Sequence, residues 1–456
     1  MIKIAASSGP SQGSIFFNFG GPGSAGDTEF AVYGDVLLAL TGGVYDLINI
    51  FPRGTRTNLP FSCYDSPEER NLAARLRPSA GNASDVALGT IWAASETIAN
   101  RCYQRNNQTA HLLGTAFTAR DIISVVDALG EDGLVRYWGI SYGTVLGATL
   151  VSMFPDRMDK VLFDGVVNAH EYYTNELEYL SDTDKTLSIF ASQCVEARDR
   201  CKIAGNYTAK ELEDAIYAGL ERIKYNPIPL YLSTGAMLLD YSALKSTIFG
   251  GLYAPQTWPL LASSLDVLFS GNTTTITAYF SALSVNIEDG PDDTEALLAI
   301  RGSDKLISES TLDQFLPHTQ ARFGKSRIGG DVAEASIIDC LRWKTRAKER
   351  YEGDFRAETR NPILMIANTA DPVTPRASAY NMSAGFEGSV VLEQDSPGHS
   401  ILVQASLCTA KAVREYFLNG TVVEPGTVCK SDAPPFAMDD GWDSVLAQLR
   451  GNGESP

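Results

Sequence analysis

The sequence lacks the features that would mark a membrane, repeat or metal-binding protein. It has no apolar run as long as a membrane span, no internal repeat and no low-complexity tract. It has only four histidines, and its histidines and cysteines do not follow the spacing of a zinc site. We therefore predict no membrane span, no metal and no cofactor.

Basic residues are in the minority. The chain has 37 Lys and Arg against 55 Asp and Glu, a net charge of -18 at pH 7. Nucleic-acid binding favours a basic face and anionic membranes attract basic segments, so neither partner is expected. Solubility is the simplest reason for this excess of acidic residues. An acidic pocket that attracts cationic groups, such as an amino terminus, is the alternative.

The N-terminus has no signal-peptide layout, yet two features favour the secretory pathway. Two close cysteine pairs, Cys194/Cys201 and Cys408/Cys429, suit small disulfide loops, and we expect Cys340 to remain unpaired. Asn-X-Ser/Thr sequons, the acceptors of N-linked glycans, occur at Asn82, Asn107, Asn206, Asn272, Asn381 and Asn419. We therefore expect a secreted glycoprotein with a truncated or processed N-terminus; a cytoplasmic protein is the alternative.

Short apolar runs alternate with helix-like runs near both ends of the chain. Strands are predicted over residues 2–6, 14–19, 45–51, 134–138, 160–163, 362–367 and 389–393. Helices are predicted over residues 28–40, 119–129, 144–154 and 409–418. This alternation is typical of an α/β fold with a mostly parallel, buried sheet flanked by helices.

The middle of the chain has a different pattern. Between residues 169 and 355 it is mostly helix-like, most clearly over 176–200, 210–225, 241–250 and 259–269, and β-type alternation is nearly absent. We predict one sheet domain, formed by residues 1–168 and 356–456, that is split by a helical cap at residues 169–355. Such insertions commonly form a lid over a site.

Ser141 lies at the centre of a Gly-Ile-Ser-Tyr-Gly motif at residues 139–143. The motif follows a predicted strand and precedes a predicted helix, which is the context of a nucleophile elbow. Its glycines let the strand and the helix pack closely around a strained turn, so that the serine hydroxyl is exposed. We predict Ser141 to be a nucleophile.

A serine nucleophile needs a base and an orienting carboxylate, in the chain order Ser, acid, His for this type of turn. Of the four histidines, only His399 follows a predicted strand near the C-terminus, in a loop rich in Gly and Pro. Asp371 comes just after the predicted strand 362–367. We predict a Ser141–Asp371–His399 triad. Asp395 is the rival acid, but it is too close to His399 in sequence to come from a separate strand end.

The oxyanion of such a reaction needs preorganised N–H donors. The N–H of Tyr142, directly after the nucleophile, is one expected donor. The second is expected from Gly21, in the Gly-Gly-Pro-Gly loop at residues 20–23, where glycines allow a close approach to substrate. An ordinary turn or a phosphate-binding loop are the alternatives, but no Gly-Lys-Ser/Thr follows.

Several segments resemble one branch of the α/β-hydrolases, that of proline iminopeptidases and tripeptidyl-aminopeptidases. Residues 19–26 (Phe-Gly-Gly-Pro-Gly-Ser-Ala-Gly) resemble its oxyanion loop, residues 137–144 its elbow and residues 252–262 its cap. Residues 371–375, 398–400 and 408–429 resemble the tripeptidyl-aminopeptidase-like C-terminal domain. The sequence departs from the pattern of this family in two places. Residues 51–57 keep Arg53 and Gly54 of the usual Asp-Pro-Arg-Gly-Thr-Gly-X-Ser stretch but lack its acid, second glycine and serine. Phe19 replaces a residue that is more often polar in the family.

The resemblance implies an α/β-hydrolase fold with a helical cap and cofactor-free, serine-dependent removal of short units from peptide N-termini. By position, Ser141, Asp371 and His399 match the triad of the family. Hydrolysis of a small ester or amide of specialised metabolism is one alternative, because elbow enzymes change substrate through caps and loops. A non-catalytic binding protein is another, although a binding protein has no need of a triad.

Substrate contacts are less defined by the sequence. A peptide ammonium needs an anchoring carboxylate, and glutamates 171, 176 and 178 stand where the predicted cap begins, although solvated helix charges explain them more simply. Aromatic residues of the cap could line an acyl pocket or simply pack in its core. They are Tyr172, Tyr173, Tyr253 and Trp258. None of these is assigned as a site.

Overall fold

The computed structural model describes residues 1–232, 235–284, 293–307, 311–437 and 439–451. Eight strands of this part form one sheet in the order β1-β3-β2-β4-β5-β8-β9-β10, and β6 and β7 form a separate hairpin. The strands are β1 (Ile2–Ile4), β2 (Ser14–Asn18), β3 (Asp46–Asn49), β4 (Val135–Ile140), β5 (Met158–Asp164), β6 (Ile228–Leu232), β7 (Gly235–Leu239), β8 (Leu364–Ala370), β9 (Val390–Pro397) and β10 (Val428–Lys430).

Helices cover both faces of the large sheet and, apart from the β6–β7 hairpin, form most of the described segment between β5 and β8. They are α1 (Asp27–Val32), α2 (Gly34–Leu40), α3 (Pro67–Ala74), α4 (Ala87–Asn106), α5 (Thr115–Leu129), α6 (Tyr142–Met153), α7 (Ala169–Tyr172), α8 (Thr183–Glu196), α9 (Ala209–Tyr225), α10 (Tyr241–Gly251), α11 (Trp258–Phe269), α12 (Thr273–Ser284), α13 (Thr294–Asp304), α14 (Leu312–Lys325), α15 (Gly329–Val332), α16 (Glu334–Leu341), α17 (Arg376–Ser383), α18 (Leu407–Asn419) and α19 (Trp442–Gly451). No helix in the described ranges combines the length and apolarity needed to cross a lipid bilayer.

The large sheet is parallel except for β1, which pairs antiparallel with β3. Alternate residues of its strands enter two different cores, as the period of a strand requires. In β2, Phe16 packs with α5 and α6 on one face, whereas Ile15 and Phe17 pack with α1, α2 and α18 on the other. The prediction of a mostly parallel sheet flanked by helices is confirmed.

The segment between β5 and β8 has a hydrophobic core of its own. It is formed by side chains of α8 to α11, such as Phe190 and Trp258, and Phe436 of the C-terminal segment joins it. The segment therefore packs against the end of the chain as well as against itself. The division into a core and a cap at residues 168 and 355 stays a prediction.

Three details of the predicted elements were wrong. Residues 28–40 form two helices, since Tyr33 leaves helical geometry before Gly34, a poor helix former. The helix predicted from residue 176 begins at Thr183, because Glu176 and Leu180 have φ of 54° and 64°. The predicted near absence of β structure from 169 to 355 missed the β6–β7 hairpin.

Three disulfides join Cys63 to Cys102, Cys194 to Cys201 and Cys408 to Cys429. Cys340 is a buried free thiol, and burial raises its pKa to about 11. Both predicted pairs and the predicted unpaired cysteine are confirmed.

Candidate active site

Ser141 occupies the turn between β4 and α6 with φ 57° and ψ -126°, a strained conformation for a residue with a side chain. The flanking glycines make the turn possible. A Cβ on Gly139 would lie 2.2 Å from the carbonyl oxygen of Gly143, and a Cβ on Gly143 would lie 2.2 Å from that of Asn18. Only glycine fits these two positions, so the motif forces β4, α6 and the end of β2 into close contact.

Backbone hydrogen bonds fix the turn. The N–H of Ser141 donates to the carbonyl oxygen of Asp164 at the end of β5, at 3.0 Å. The N–H and the hydroxyl of Thr144 donate to the carbonyl oxygen of Ser141, at 2.8 and 2.7 Å. The hydroxyl of Ser141 has no hydrogen-bond partner among the described residues, and Ser141 lines a cleft. The turn therefore presents an unengaged hydroxyl beside that cleft.

Asp371 follows β8 and is fully buried. Its Oδ1 accepts hydrogen bonds from the N–H groups of Val373 and Thr374, at 2.8 and 2.9 Å. Its Oδ2 accepts the hydroxyl of Thr374 at 2.7 Å and Nδ1 of His399 at 2.9 Å. A carboxylate with donors on both oxygens is held in one orientation.

His399 follows β9, and its loop is held at several points. Its N–H donates to the carbonyl oxygen of Tyr253 at 2.7 Å, and the Tyr253 ring meets its imidazole edge to face. The side-chain amide of Asn368 donates to the carbonyl oxygens of Gly398 and Ser400, both at 2.8 Å. The loop is thus anchored both to β8 and to the segment between β5 and β8.

The electrostatic surroundings of His399 favour its protonated form. Burial alone would lower the pKa of the imidazole, but the charge and hydrogen bond of Asp371, together with the charge of Asp164, raise it above its ordinary value. The rival acid Asp395 is exposed and accepts the hydroxyl of Thr369 at 3.2 Å. The structure therefore pairs His399 with Asp371.

The loop at residues 20–23 lies directly against the elbow. A Cβ on Gly20 would be 2.8 Å from Cβ of Ser141 and 3.0 Å from the nitrogen of Tyr142, and φ is 97° at Gly20 and 104° at Gly21. Gly21 and Tyr142 line the same cleft as Ser141. Their N–H groups have no acceptor within the described part of the chain. The two predicted oxyanion donors are therefore close together and unengaged.

The side chain of Tyr142 belongs to a buried network that the sequence did not predict. Its hydroxyl and that of Thr115 are 2.6 Å apart, and Thr115 donates to Oδ2 of Asp304 at 2.5 Å. Tyr172 donates to the same oxygen at 3.0 Å. Burial raises the pKa of Asp304 to about 6, although these donors lower it. The network ties the elbow to the end of α13.

The cleft beside Ser141 spans about 510 Å³, including the solvent at its open mouth. Glu171, Glu176, Tyr179 and Arg301, all from the segment between β5 and β8, line it together with the elbow. Glu171, Glu176 and Glu178, the three glutamates considered as anchors of a substrate ammonium, have different environments.

Glu176 is buried and forms ion pairs with Arg301 and Lys305. Glu178 accepts the amides of Asn168 and Asn381 and the hydroxyl of Ser378, at 2.7 to 2.9 Å. The interpretation as solvated helix charges is therefore wrong for Glu176, which is 3% exposed.

Glu171 is half-buried, and its carboxylate accepts the N–H of Glu178. Burial raises its pKa above the ordinary value. No cation in the described ranges lies within ion-pair distance of it. Of the two glutamates that line the cleft, Glu171 is thus the one without a direct ion pair, and the charge of Lys325 acts on it only from a longer distance.

The four aromatic residues considered for an acyl pocket fall into two groups, one in packed cores and one near the proposed active site. Trp258 and Tyr173 are buried in packed clusters. Tyr172 lines the cleft, and Tyr253 contacts the imidazole of His399.

Residues 326–429 match the family model described as TAP-like protein. The chain is 24% identical to the tripeptidyl aminopeptidase of Streptomyces lividans, over 93% of this chain and 78% of that protein. It is 25% identical to the serine protease Hip1 of Mycobacterium tuberculosis, over 94% of this chain and 83% of that protein. It is 23% identical to a carboxylesterase B of Mycobacterium tuberculosis, over 94% and 82% of the two chains. The chain is therefore an α/β-hydrolase with a TAP-like C-terminal region.

Proposed function

We propose that this hydrolase releases short units from peptide N-termini by acyl transfer, with Ser141 as nucleophile, His399 as base and acid and Asp371 as orienter. The observation that carries the proposal is the hydrogen bond of 2.9 Å from Nδ1 of His399 to buried Asp371, beside the turn that presents Ser141. Because Nδ1 carries the proton in this bond, Nε2 is left as the acceptor that a general base requires.

The reaction follows from these positions. Nε2 of His399 takes the proton of the Ser141 hydroxyl as the oxygen attacks the scissile carbonyl. The N–H groups of Gly21 and Tyr142 hold the oxyanion of the tetrahedral intermediate, where each such donor is worth about 10²–10³ in rate. The intermediate collapses as His399 protonates the departing amine. Water, activated by the same imidazole, then hydrolyses the ester bond between the acyl group and the Ser141 oxygen, which releases the acid and frees the serine.

Glu171 is the proposed anchor of the substrate ammonium. It lines the cleft with Ser141, is half-buried and forms no ion pair among the described residues, although the charge of Lys325 acts on it, whereas Glu176 is in direct ion pairs with Arg301 and Lys305. A partly desolvated carboxylate gives a cation both orientation and selectivity. This supports a substrate with a free amino terminus.

Hydrolysis of small esters or amides is the second candidate. The similarity to a carboxylesterase favours it, and the same triad chemistry serves both substrate classes.

A panel of fluorogenic substrates separates the two candidates. It contains mono-, di- and tripeptide amides with free N-termini, their N-acetylated versions and simple aryl esters. Cleavage of the free peptides but not of the blocked ones is expected; cleavage of the esters alone would establish the second candidate. Ser141→Ala should abolish turnover without a change in folding, and a fluorophosphonate should label the wild type but not this variant. Absence of labelling in the wild type would favour a non-catalytic binding protein.

Glu171→Gln tests the anchor itself. A charge-assisted hydrogen bond is worth about 1.5–3 kcal/mol, so KM for free peptides should rise about 10- to 100-fold. Hydrolysis of an aryl ester by the same variant is the control and should change little. An unchanged KM for peptides would eliminate Glu171 as the anchor.

The proposal includes secretion. It is supported by the three disulfides and by the exposure of all six sequon asparagines. Enzymatic removal of N-glycans from the protein purified from its source should lower its mass; an unchanged mass together with reduced cysteines would favour a cytoplasmic protein.

A further inference from the structure

Asp164, at the end of β5, is a buried acid that the triad does not use. It is 1% exposed, and its two carboxylate oxygens share one donor, the N–H of Ile401, at 3.1 and 3.3 Å. No cation in the described part of the chain lies within ion-pair distance of it. An ionised carboxylate has about four lone-pair sites and is unfavourable in such surroundings. A purely packing position would be filled more favourably by an apolar residue.

The backbone around Asp164 contacts the parts of the proposed triad. Its carbonyl oxygen accepts the N–H of Ser141 at 3.0 Å. At the next residue, Gly165, a Cβ would lie 3.2 Å from Cε1 of His399 and 3.2 Å from the hydroxyl oxygen of Thr374. Two consecutive residues thus adjoin the nucleophile, the imidazole and the turn that follows Asp371.

The loop that carries His399 needs support from outside. Gly398 has φ 98° and Ser400 has φ 69°, which is uncommon for a residue with a side chain. Such a conformation persists only where the surroundings hold it. Asn368 holds the carbonyl groups on either side of His399, and the carboxylate of Asp164 holds the N–H of Ile401, two residues further on.

Given the triad proposed above, we propose that Asp164 is a positioning residue. Its carbonyl group fixes the turn of Ser141, and its carboxylate fixes the loop of His399, so one residue sets the distance between nucleophile and base. Because near-attack geometry is demanding, a shift of about 1 Å in this distance can lower the rate about 10²-fold.

Asp164 also interacts electrostatically with the imidazole. Burial raises its pKa to about 7, the N–H of Ile401 and the charge of His399 lower it, and the charge of Asp371 raises it. In turn, ionised Asp164 raises the pKa of His399. Two groups whose charges act on each other in this way lose their protons in two steps that belong to the pair. The position and steepness of the acid limb in the pH profile of activity are therefore a readout that a merely structural role of Asp164 would not affect.

The test compares Asp164→Asn and Asp164→Ala with the control Asp395→Asn, an exposed acid four residues before His399. Asparagine keeps an oxygen for the N–H of Ile401, so activity at pH 8 should stay within about threefold of the wild type. In Asp164→Asn, the acid limb of the pH profile of kcat/KM should move to lower pH and become a single-proton step. The reason is that a negative charge that favours the imidazolium of His399 is lost. Alanine should lower kcat about 10- to 100-fold with KM nearly unchanged. Asp395→Asn should match the wild type.

A profile of Asp164→Asn that superimposes on that of the wild type would overturn the proposal, and this holds even where the alanine variant does not fold. A folded alanine variant with the kcat of the wild type would overturn it as well. Failure of the proposed function has a different signature, because Ser141→Ala would then keep its turnover and the wild type would resist fluorophosphonate.

Discussion

Replacement of Asp371 by asparagine should remove most of the activity and leave the fold intact. Oδ1 of Asp371 accepts the N–H groups of Val373 and Thr374, so an asparagine must place its carbonyl oxygen there. Its NH₂ group then occupies the position of Oδ2 and faces Nδ1 of His399, 2.9 Å away. An amide nitrogen only donates, so this contact, which is shorter than the 3.1 Å from Nδ1 to Oδ1, is kept only if Nδ1 becomes the acceptor and Nε2 carries the proton.

The magnitude follows from this change of tautomer. An imidazole protonated on Nε2 cannot take the proton of Ser141, and loss of the correct tautomer in such a triad lowers kcat by about 10⁴. That factor corresponds to about 5.4 kcal/mol of transition-state stabilisation. The two backbone N–H groups keep their acceptor, so the midpoint of urea unfolding should change little.

The assay is kcat of Asp371→Asn at pH 8 on the best substrate of the panel, with unfolding followed by circular dichroism. Asp395→Asn is the matched control, because it makes the same chemical change at an exposed acid near His399. A kcat within tenfold of the wild type, in a folded variant, would refute the assignment of Asp371 as the orienter.

Two further predictions concern pH and stability. Activity should fall on the acid side as His399 becomes an imidazolium, with a midpoint above the ordinary histidine value of about 6.5, because the pKa of His399 is raised; a profile of kcat/KM from pH 5 to 9 measures this, and a midpoint below about 6 would contradict it. Thr115→Val should lower the free energy of unfolding by about 1–3 kcal/mol, since it removes a buried donor to Asp304 and a partner of Tyr142. Urea unfolding measures this loss, with Thr118→Val as the control. The hydroxyl of Thr118 is also buried in α5 but makes only a 3.4 Å contact with a backbone carbonyl group. An equal loss of stability in both variants would refute the role of the network.

The positions that the sequence predicted are those with local signals. Ser141 lies between two glycines at a strand end, and His399 and Asp371 lie in Gly- and Pro-containing loops after strands. The carboxyl ends of parallel strands meet at one edge of a sheet, so these local signals suffice to bring the groups together. This is why the sequence predicts both the sheet and the pairing of His399 with Asp371.

The missed features depend on partners that are distant in sequence. Asp304 meets Thr115 across 189 residues, and Arg301 meets Glu176 across 125, with no local pattern that links them. The ion pairs also explain the wrong helix start, because Glu176 turns inward with φ 54° instead of beginning a helix. The hairpin was missed for a different reason: Pro229 lies within β6, and proline is tolerated in strands mainly at edges, which both strands of an isolated hairpin provide.

The acidic groups in and near the cleft differ in their hydrogen-bond donors, their ion pairs and their burial. Asp371 is surrounded by donors and serves one imidazole, whereas Glu176 is neutralised by two cations. Asp164 is buried with one donor and Asp304 with three, and burial raises the pKa of Asp304 to about 6 and that of Asp164 to about 7. Among these five, Glu171 is the one that lines the cleft and forms no direct ion pair with a described cation. Under the proposed function, we therefore expect a cationic group that enters beside Ser141 to meet Glu171, because the charges of the other four acids are engaged by donors or cations or are buried away from the cleft.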